Sequence, residues 1–152
     1  MASKYDSTEA TEYWENILNY RFIMTFRVEG FSVPKLEERL TDLMQQNIFK
    51  PYVIILDGLK FDESGRGLLV ELKELAKKYS MRIWFTIHTH RHEPPTDDGL
   101  PLSFRHVEDL FDVLVQLVAE GPEVYIKVLK GRSSEAKQDA LLLDPATMLI
   151  KV

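Results

Sequence analysis

Apolar and polar positions along the first third of the chain predict a helix, a strand and a second helix. Residues 8–20 place Trp14, Ile17 and Leu18 on one helical stripe. Residues 21–28 alternate apolar and polar side chains, which is the period of a strand with one buried face. Ser32-Val33-Pro34 then predicts a helix start, because proline is tolerated in a first turn. The buried stripe predicted for this second helix is Leu36, Leu40, Leu43 and Met44.

Two segments rich in apolar residues in the middle of the chain predict buried strands. YVIIL is a continuous apolar run without the alternation of a half-exposed strand, and RIWFTIH is predicted to be the next buried strand. Such runs are typical of parallel strands covered on both faces by helices. The segment between them, LLVELKELAKKYS, has the spacing of an amphipathic helix. We therefore expect a strand–helix–strand unit with a right-handed crossover.

The last third of the chain favours antiparallel strands. After about one helical turn in VEDLF, the runs DVLVQLV and EVYIKVL flank Glu120-Gly121-Pro122. Two strands joined by so tight a turn form a hairpin. LLLD and MLIKV follow, with a turn predicted at Pro145-Ala146. The predicted fold is α/β, a three-layer α/β/α arrangement with a mainly parallel sheet and a C-terminal antiparallel hairpin extension, in one domain spanning residues 1–152.

Composition narrows the classes of protein that this chain can belong to. Its 152 residues are 45% hydrophobic and 28% charged, with no cysteine. Disulfides, zinc fingers and thiol catalysis are thereby excluded. No apolar run approaches the length of a membrane span, and we expect a cytoplasmic protein without a membrane partner. The net charge of -5 disfavours nucleic acid as a partner, although Lys127, Lys130, Arg132 and Lys137 make the tail the most basic region.

The sequence YVIILDG carries the first candidate for chemistry. An acidic residue directly after a buried parallel strand lies at the carboxyl end of the sheet, where α/β proteins bind ligands. Asp57 there could hold magnesium through water and help to position a phosphate. The alternative is that Asp57 ends the strand and begins a turn with Gly58.

From about Arg21 onward, the order of these motifs resembles the second half of a RecA/KaiC/RadA-type P-loop ATPase core. YVIILDG resembles its Walker B strand, IWFTIHTH its sensor strand, and FDVLVQLVAEGPEVYIKVLKGR its later hairpin with a basic exit. The resemblance implies that Asp57 is the Walker B aspartate and His88 the polar sensor, with Thr86 or His90 as alternatives. It also implies that Lys130 and Arg132 form a basic pair that reaches a nucleotide at a subunit boundary.

The chain departs from that family at the phosphate-binding motif. The family's cradle needs G-x-x-x-x-G-K-[ST], and the sequence contains no such string. The chain thus resembles an ATPase core without its nucleotide-binding first segment. We expect no tightly bound cofactor and no ATPase activity of this chain alone, with ATP and magnesium bound only if a missing segment or a partner completes the site. The predicted role is assembly or regulation, as a homo-oligomer or with a partner chain, because losing a central strand exposes a sheet edge.

Two other functions fit the sequence. His88, His90 and His92 would project from one face if their strand continues, and could ligate zinc with Asp57 as a fourth ligand. That arrangement predicts a small metal-dependent hydrolase in which the metal activates water. The remaining alternative is a protein-interaction module that binds no small molecule.

Overall fold

A computed structural model describes residues 7–27, 30–59, 61, 65–87, 99–131, 140–144, 147 and 150–151. The chain divides into two compact units, Met1–Pro51 and Tyr52–Val152. The helices are α1 (Ser7–Asn19), α2 (Val33–Gln45) and α3 (Arg66–Tyr79), with 3-10 turns at Leu102–Phe104 and Glu108–Leu110. The strands are β1 (Val53–Asp57), β2 (Arg82–Thr86), β3 (Leu114–Glu120), β4 (Glu123–Lys130) and β5 (Leu141–Leu143). A single domain over residues 1–152 stays a prediction.

The first unit contains both predicted helices but not the strand predicted between them. Ser32 is the N-cap of α2, and Pro34 lies in its first turn, as expected. Of the predicted stripe, Leu36 and Leu40 are buried, while Leu43 and Met44 are half-buried. The strand predicted over residues 21–28 is wrong for its described part, since residues 21–27 have no regular secondary structure. Alternation indicates which face a strand would bury, but it supplies no hydrogen-bonding neighbour, and a lone strand is not stable.

The second unit contains two separate sheets. β1 and β2 pair in parallel with Val53 opposite Arg82 and Asp57 opposite Thr86. β3, β4 and β5 form an antiparallel sheet in that order. Mixed α/β structure with a parallel element and a C-terminal antiparallel hairpin is therefore confirmed.

The hairpin between β3 and β4 follows from its turn residues. Gly121 and Pro122 form the two-residue loop, and Gly121 has a φ of +62°. A positive φ at the first turn position is what the tight turns of two-stranded antiparallel hairpins require, and glycine adopts it without strain. The remaining predicted turn, at Pro145-Ala146, lies outside the described residues.

Aromatic and aliphatic side chains form the core of the second unit. Leu69 of α3 packs with Phe104 and Val107, and the rings of Phe61, Phe85 and Phe111 pack around them. The four rings lie with neighbouring centroids 5.2 to 6.1 Å apart, within the range of favourable aromatic pairs. Phe85 brings β2 into this core, so α3 and the 3-10 turns cover one face of the parallel sheet.

The opposite face of the parallel sheet is exposed. It consists of Val53, Ile55 and Asp57 of β1 with Arg82, Trp84 and Thr86 of β2, and is called the open face below. Ile55 is 68% exposed, and Val53 and Trp84 are each 46% exposed. No described helix of the second unit covers this face, so the second helical layer stays a prediction. An apolar run indicates that a strand favours burial on both faces, but it does not identify the element that packs on each face.

We expect α3 to carry much of the stability of the second unit, because Leu72 is fully buried. Leu72→Ala should lower the free energy of unfolding by about 2–5 kcal/mol, through lost apolar burial and the cavity left behind. Val70→Ala, at an exposed position of the same helix, should change it by less than about 0.5 kcal/mol. Urea denaturation followed by circular dichroism measures both, and equal effects would contradict this assignment of the core.

Candidate functional site

Asp57 lies at the carboxyl end of β1, where the sequence predicts it. The parallel register places Thr86 directly beside it on β2, and the Thr86 hydroxyl donates a hydrogen bond to Oδ1 of Asp57. Both side chains are exposed. A hydroxyl donor to a carboxylate is a charge-assisted contact that fixes the orientation of the carboxylate. The rim of the sheet thus presents an oriented anion to solvent.

Gly58 turns the chain immediately after this aspartate. Its φ is +80°, a conformation that residues with side chains adopt only with strain. A Cβ added at Gly58 would meet no atom within 4 Å. Backbone conformation rather than lack of space therefore requires glycine here, and the turn leaves the rim beside Asp57 open.

The described side chains at the rim provide part of the ligand set that a magnesium ion needs. A magnesium site commonly uses one or two carboxylates, several waters and the phosphates of its substrate. Asp57 can supply one such carboxylate. Within the described residues, no group of three or more His, Cys, Asp or Glu side chains could hold a metal ion. A complete site would therefore need further ligands from a phosphate or from other residues.

The histidine cluster and the second residue of the basic pair fall outside the part of the chain that the structure describes. His88, His90, His92 and Arg132 lie outside the described residues, so the zinc site and the basic pair stay predictions. Thr86, which the sequence offered as an alternative to His88, is the described residue in contact with Asp57. Sequence alone could not choose between them, because the choice depends on where β2 ends and on its register with β1.

Lys130 is described, and its ammonium is engaged within the protein. It lies at the end of β4, and its Nζ donates a hydrogen bond of 2.8 Å to the carbonyl oxygen of Glu108. β4 belongs to the antiparallel sheet, whereas Asp57 belongs to the parallel one. The described contact is thus structural, and the role in nucleotide binding that the resemblance implies for Lys130 stays a prediction.

Two cations of α3 also donate hydrogen bonds to the segment His106–Leu110, which Lys130 contacts from β4. From α3, Lys73 donates to the Leu110 carbonyl at 2.9 Å. Arg66, also from α3, donates to the His106 carbonyl and makes two bonds of 2.7 Å to the Asp109 carboxylate. The sequence analysis missed this arrangement, because its partners lie 22 to 43 residues apart and no local motif indicates them.

A cleft of about 480 Å³ lies in the first unit, at the start of α2. The described residues that line it include the basic Arg27, Lys35 and Arg39 and the acidic Glu38. The Arg39 guanidinium lies 5.2 Å from the ring centroid of Phe26, a cation–π distance. The described lining of the cleft therefore carries more positive than negative side chains in a chain of negative net charge, a feature that the sequence analysis also missed.

Comparison of the chain with models of protein families, with curated proteins and with solved structures returns no match in any of the three. None of the described helices is long and apolar enough to cross a membrane.

The ion pair of Arg66 with Asp109 predicts a pH dependence of stability. The hydrogen bonds and the charge of Arg66 lower the pKa of Asp109 from 3.8 to about 2. Because the pKa is lower in the folded state, the pair stabilises the fold above the unfolded value and loses this effect as pH falls towards about 2. Both partners are exposed, so we expect a small effect.

A double-mutant cycle of Arg66→Gln and Asp109→Asn isolates this pair, because the cycle cancels the separate bond from Arg66 to the backbone. Urea denaturation at pH 7, 5, 3 and 2 measures the coupling free energy. The coupling should be constant from pH 7 to 5, decrease at pH 3 and be lowest at pH 2. Coupling of unchanged size at pH 2 would contradict the assignment.

Proposed function

We propose that this protein is a RecA-like, ATPase-related module that acts in assembly, binding another polypeptide through the open face, and that it does not turn over ATP by itself. The observation that carries the proposal is the uncovered face of a parallel sheet. Ile55, Val53 and Trp84 are large apolar side chains exposed side by side on it. Parallel sheets are found almost only with both faces covered, and contiguous exposed apolar surface marks sites of protein interaction.

The rim geometry supports the relation to RecA-like proteins. In β1–α3–β2, an aspartate ends the first strand and a hydroxyl residue ends the next parallel strand beside it. That is the order of Walker B strand, helix and sensor strand which the sequence resembles. In this proposal Asp57 corresponds to the Walker B aspartate and Thr86 to the polar sensor.

The three-layer architecture belongs to the same proposal. The described residues supply a parallel sheet and, through α3, a helical layer on one side of it. No described helix of the second unit lies on the open face, and in this proposal the polypeptide that binds there supplies the second layer. The described part of the second unit therefore contains one sheet and one helical layer of the predicted architecture.

The sequence lacks a phosphate-binding motif, and this supports a role in assembly rather than in catalysis. The chain has an oriented carboxylate at Asp57, but its sequence has no glycine-rich cradle with a lysine to hold phosphates. A carboxylate without that cradle would bring its negative charge close to those of a triphosphate. We therefore propose that ATP is bound only when a further segment or a partner completes the site.

Thermal denaturation with and without ATP tests this function. Ligands that bind the folded state raise the melting temperature, so millimolar magnesium–ATP should leave it unchanged relative to magnesium alone. A rise of several degrees that Asp57→Asn abolishes, while the surface control Glu71→Gln retains it, would contradict the proposal and indicate a nucleotide site of a different design.

A further inference from the structure

We propose that two copies of this chain associate through their open faces, related by a two-fold axis, with Arg82 of each copy paired with Asp57 of the other. This inference rests on the proposed assembly function and names its partner. It follows from how charge and apolar surface are arranged on the open face.

The open face has opposite charges at its two ends. The register places Arg82 beside Val53 at the start of the strands, and Asp57 beside Thr86 at their ends. Between them lie Ile55 and Trp84, which are also cross-strand neighbours. Four residues along a strand span about 13 Å. A cation and an anion are therefore separated by an apolar centre.

A two-fold axis makes this arrangement complementary to itself. If the axis lies in the plane between two open faces and nearly perpendicular to the strands, it inverts the strand direction of the second copy. Arg82 lies at the start of β2 and Asp57 at the end of β1, on neighbouring strands. After the rotation, Arg82 of each copy therefore lies opposite Asp57 of the other copy. Such an interface uses the same patch on both copies, as two-fold dimers require.

The other simple orientation is disfavoured by charge. With the axis parallel to the strands, the two copies would place Arg82 near Arg82 and Asp57 near Asp57. Like charges facing each other across an interface suppress that arrangement, whereas opposite charges fix the register of the correct one. The long side chain of Arg82 can also span the distance of about 10 Å between packed sheets.

The apolar centre provides the attraction. Ile55 is 68% exposed and Trp84 46% exposed in the single chain, and both would be removed from water between the two sheets. The result would be a helix–sheet–sheet–helix stack, in which the sheet of the second copy supplies the missing cover. Sheets packed face to face in this way form ordinary protein cores.

The size of the open face indicates a weak dimer. Two strands of five residues form a patch of roughly 17 by 10 Å. Stable interfaces bury about 800 Å² on each partner, which is several times larger. We therefore expect a weak association, with monomer and dimer in equilibrium at high protein concentration.

Charge reversal tests the pairing, with sedimentation velocity of the full chain as the measurement. Arg82→Glu alone and Asp57→Lys alone should each give monomers, because each juxtaposes like charges at both contacts. An equimolar mixture of the two variants should form dimers, since both contacts of the mixed pair then join opposite charges. The double variant R82E/D57K should dimerise by itself.

Two further variants separate the apolar centre from general effects of charge. Ile55→Lys should abolish the dimer while leaving the circular dichroism spectrum and melting temperature unchanged, because Ile55 is largely exposed in the monomer. Glu71→Lys, on the exposed surface of α3, should leave the dimer unchanged. Restored dimers in the mixture also exclude misfolding of the single variants.

Several results would overturn the pairing: a wild-type chain that is monomeric at several hundred micromolar, dimers that persist in Arg82→Glu or Ile55→Lys, or no dimers in the mixture. The experiments distinguish failure of the dimer proposal from failure of the proposed function. A monomeric chain with no response to ATP would leave an assembly role with a different polypeptide on the open face. An Asp57-dependent rise of the melting temperature with magnesium–ATP would remove the assembly role itself.

Discussion

The parallel pairing of β1 with β2, covered on one side by α3, is the constraint on which the rest of the second unit depends. It brings Asp57 and Thr86 together at one end of the sheet. It also places Phe85 in the aromatic core and Trp84, its neighbour in sequence, on the opposite face. One packing arrangement therefore produces both the candidate site and the exposed apolar surface next to it.

Much of this unit could be predicted from the sequence where local rules apply. Gly121 and Pro122 predict the hairpin, because two strands joined by a tight turn can pair only in the antiparallel direction. Asp57 is placed at the sheet rim because it follows an apolar run directly. Both inferences need only neighbouring residues, and the structure contains both features.

The remaining features depend on distant partners and could not be predicted in this way. The alternation over residues 21–28 gives no information about a neighbouring strand, and no strand forms over residues 21–27. The contact between Thr86 and Asp57 depends on register, which an unbroken apolar run does not define. Arg66 and Lys73 look like ordinary surface cations of α3 until the fold brings the segment His106–Leu110 beside them.

The segment His106–Leu110 connects the two sheets of the second unit. Through its described pairings, the parallel sheet has no ladder in common with the antiparallel one, yet α3 and β4 both donate hydrogen bonds to the same five residues. The segment His106–Leu110 therefore links α3, which packs on the parallel sheet, to the end of β4 in the antiparallel sheet. One short stretch of chain thus accepts hydrogen bonds, through its backbone carbonyls, from a helix packed on one sheet and from a strand of the other.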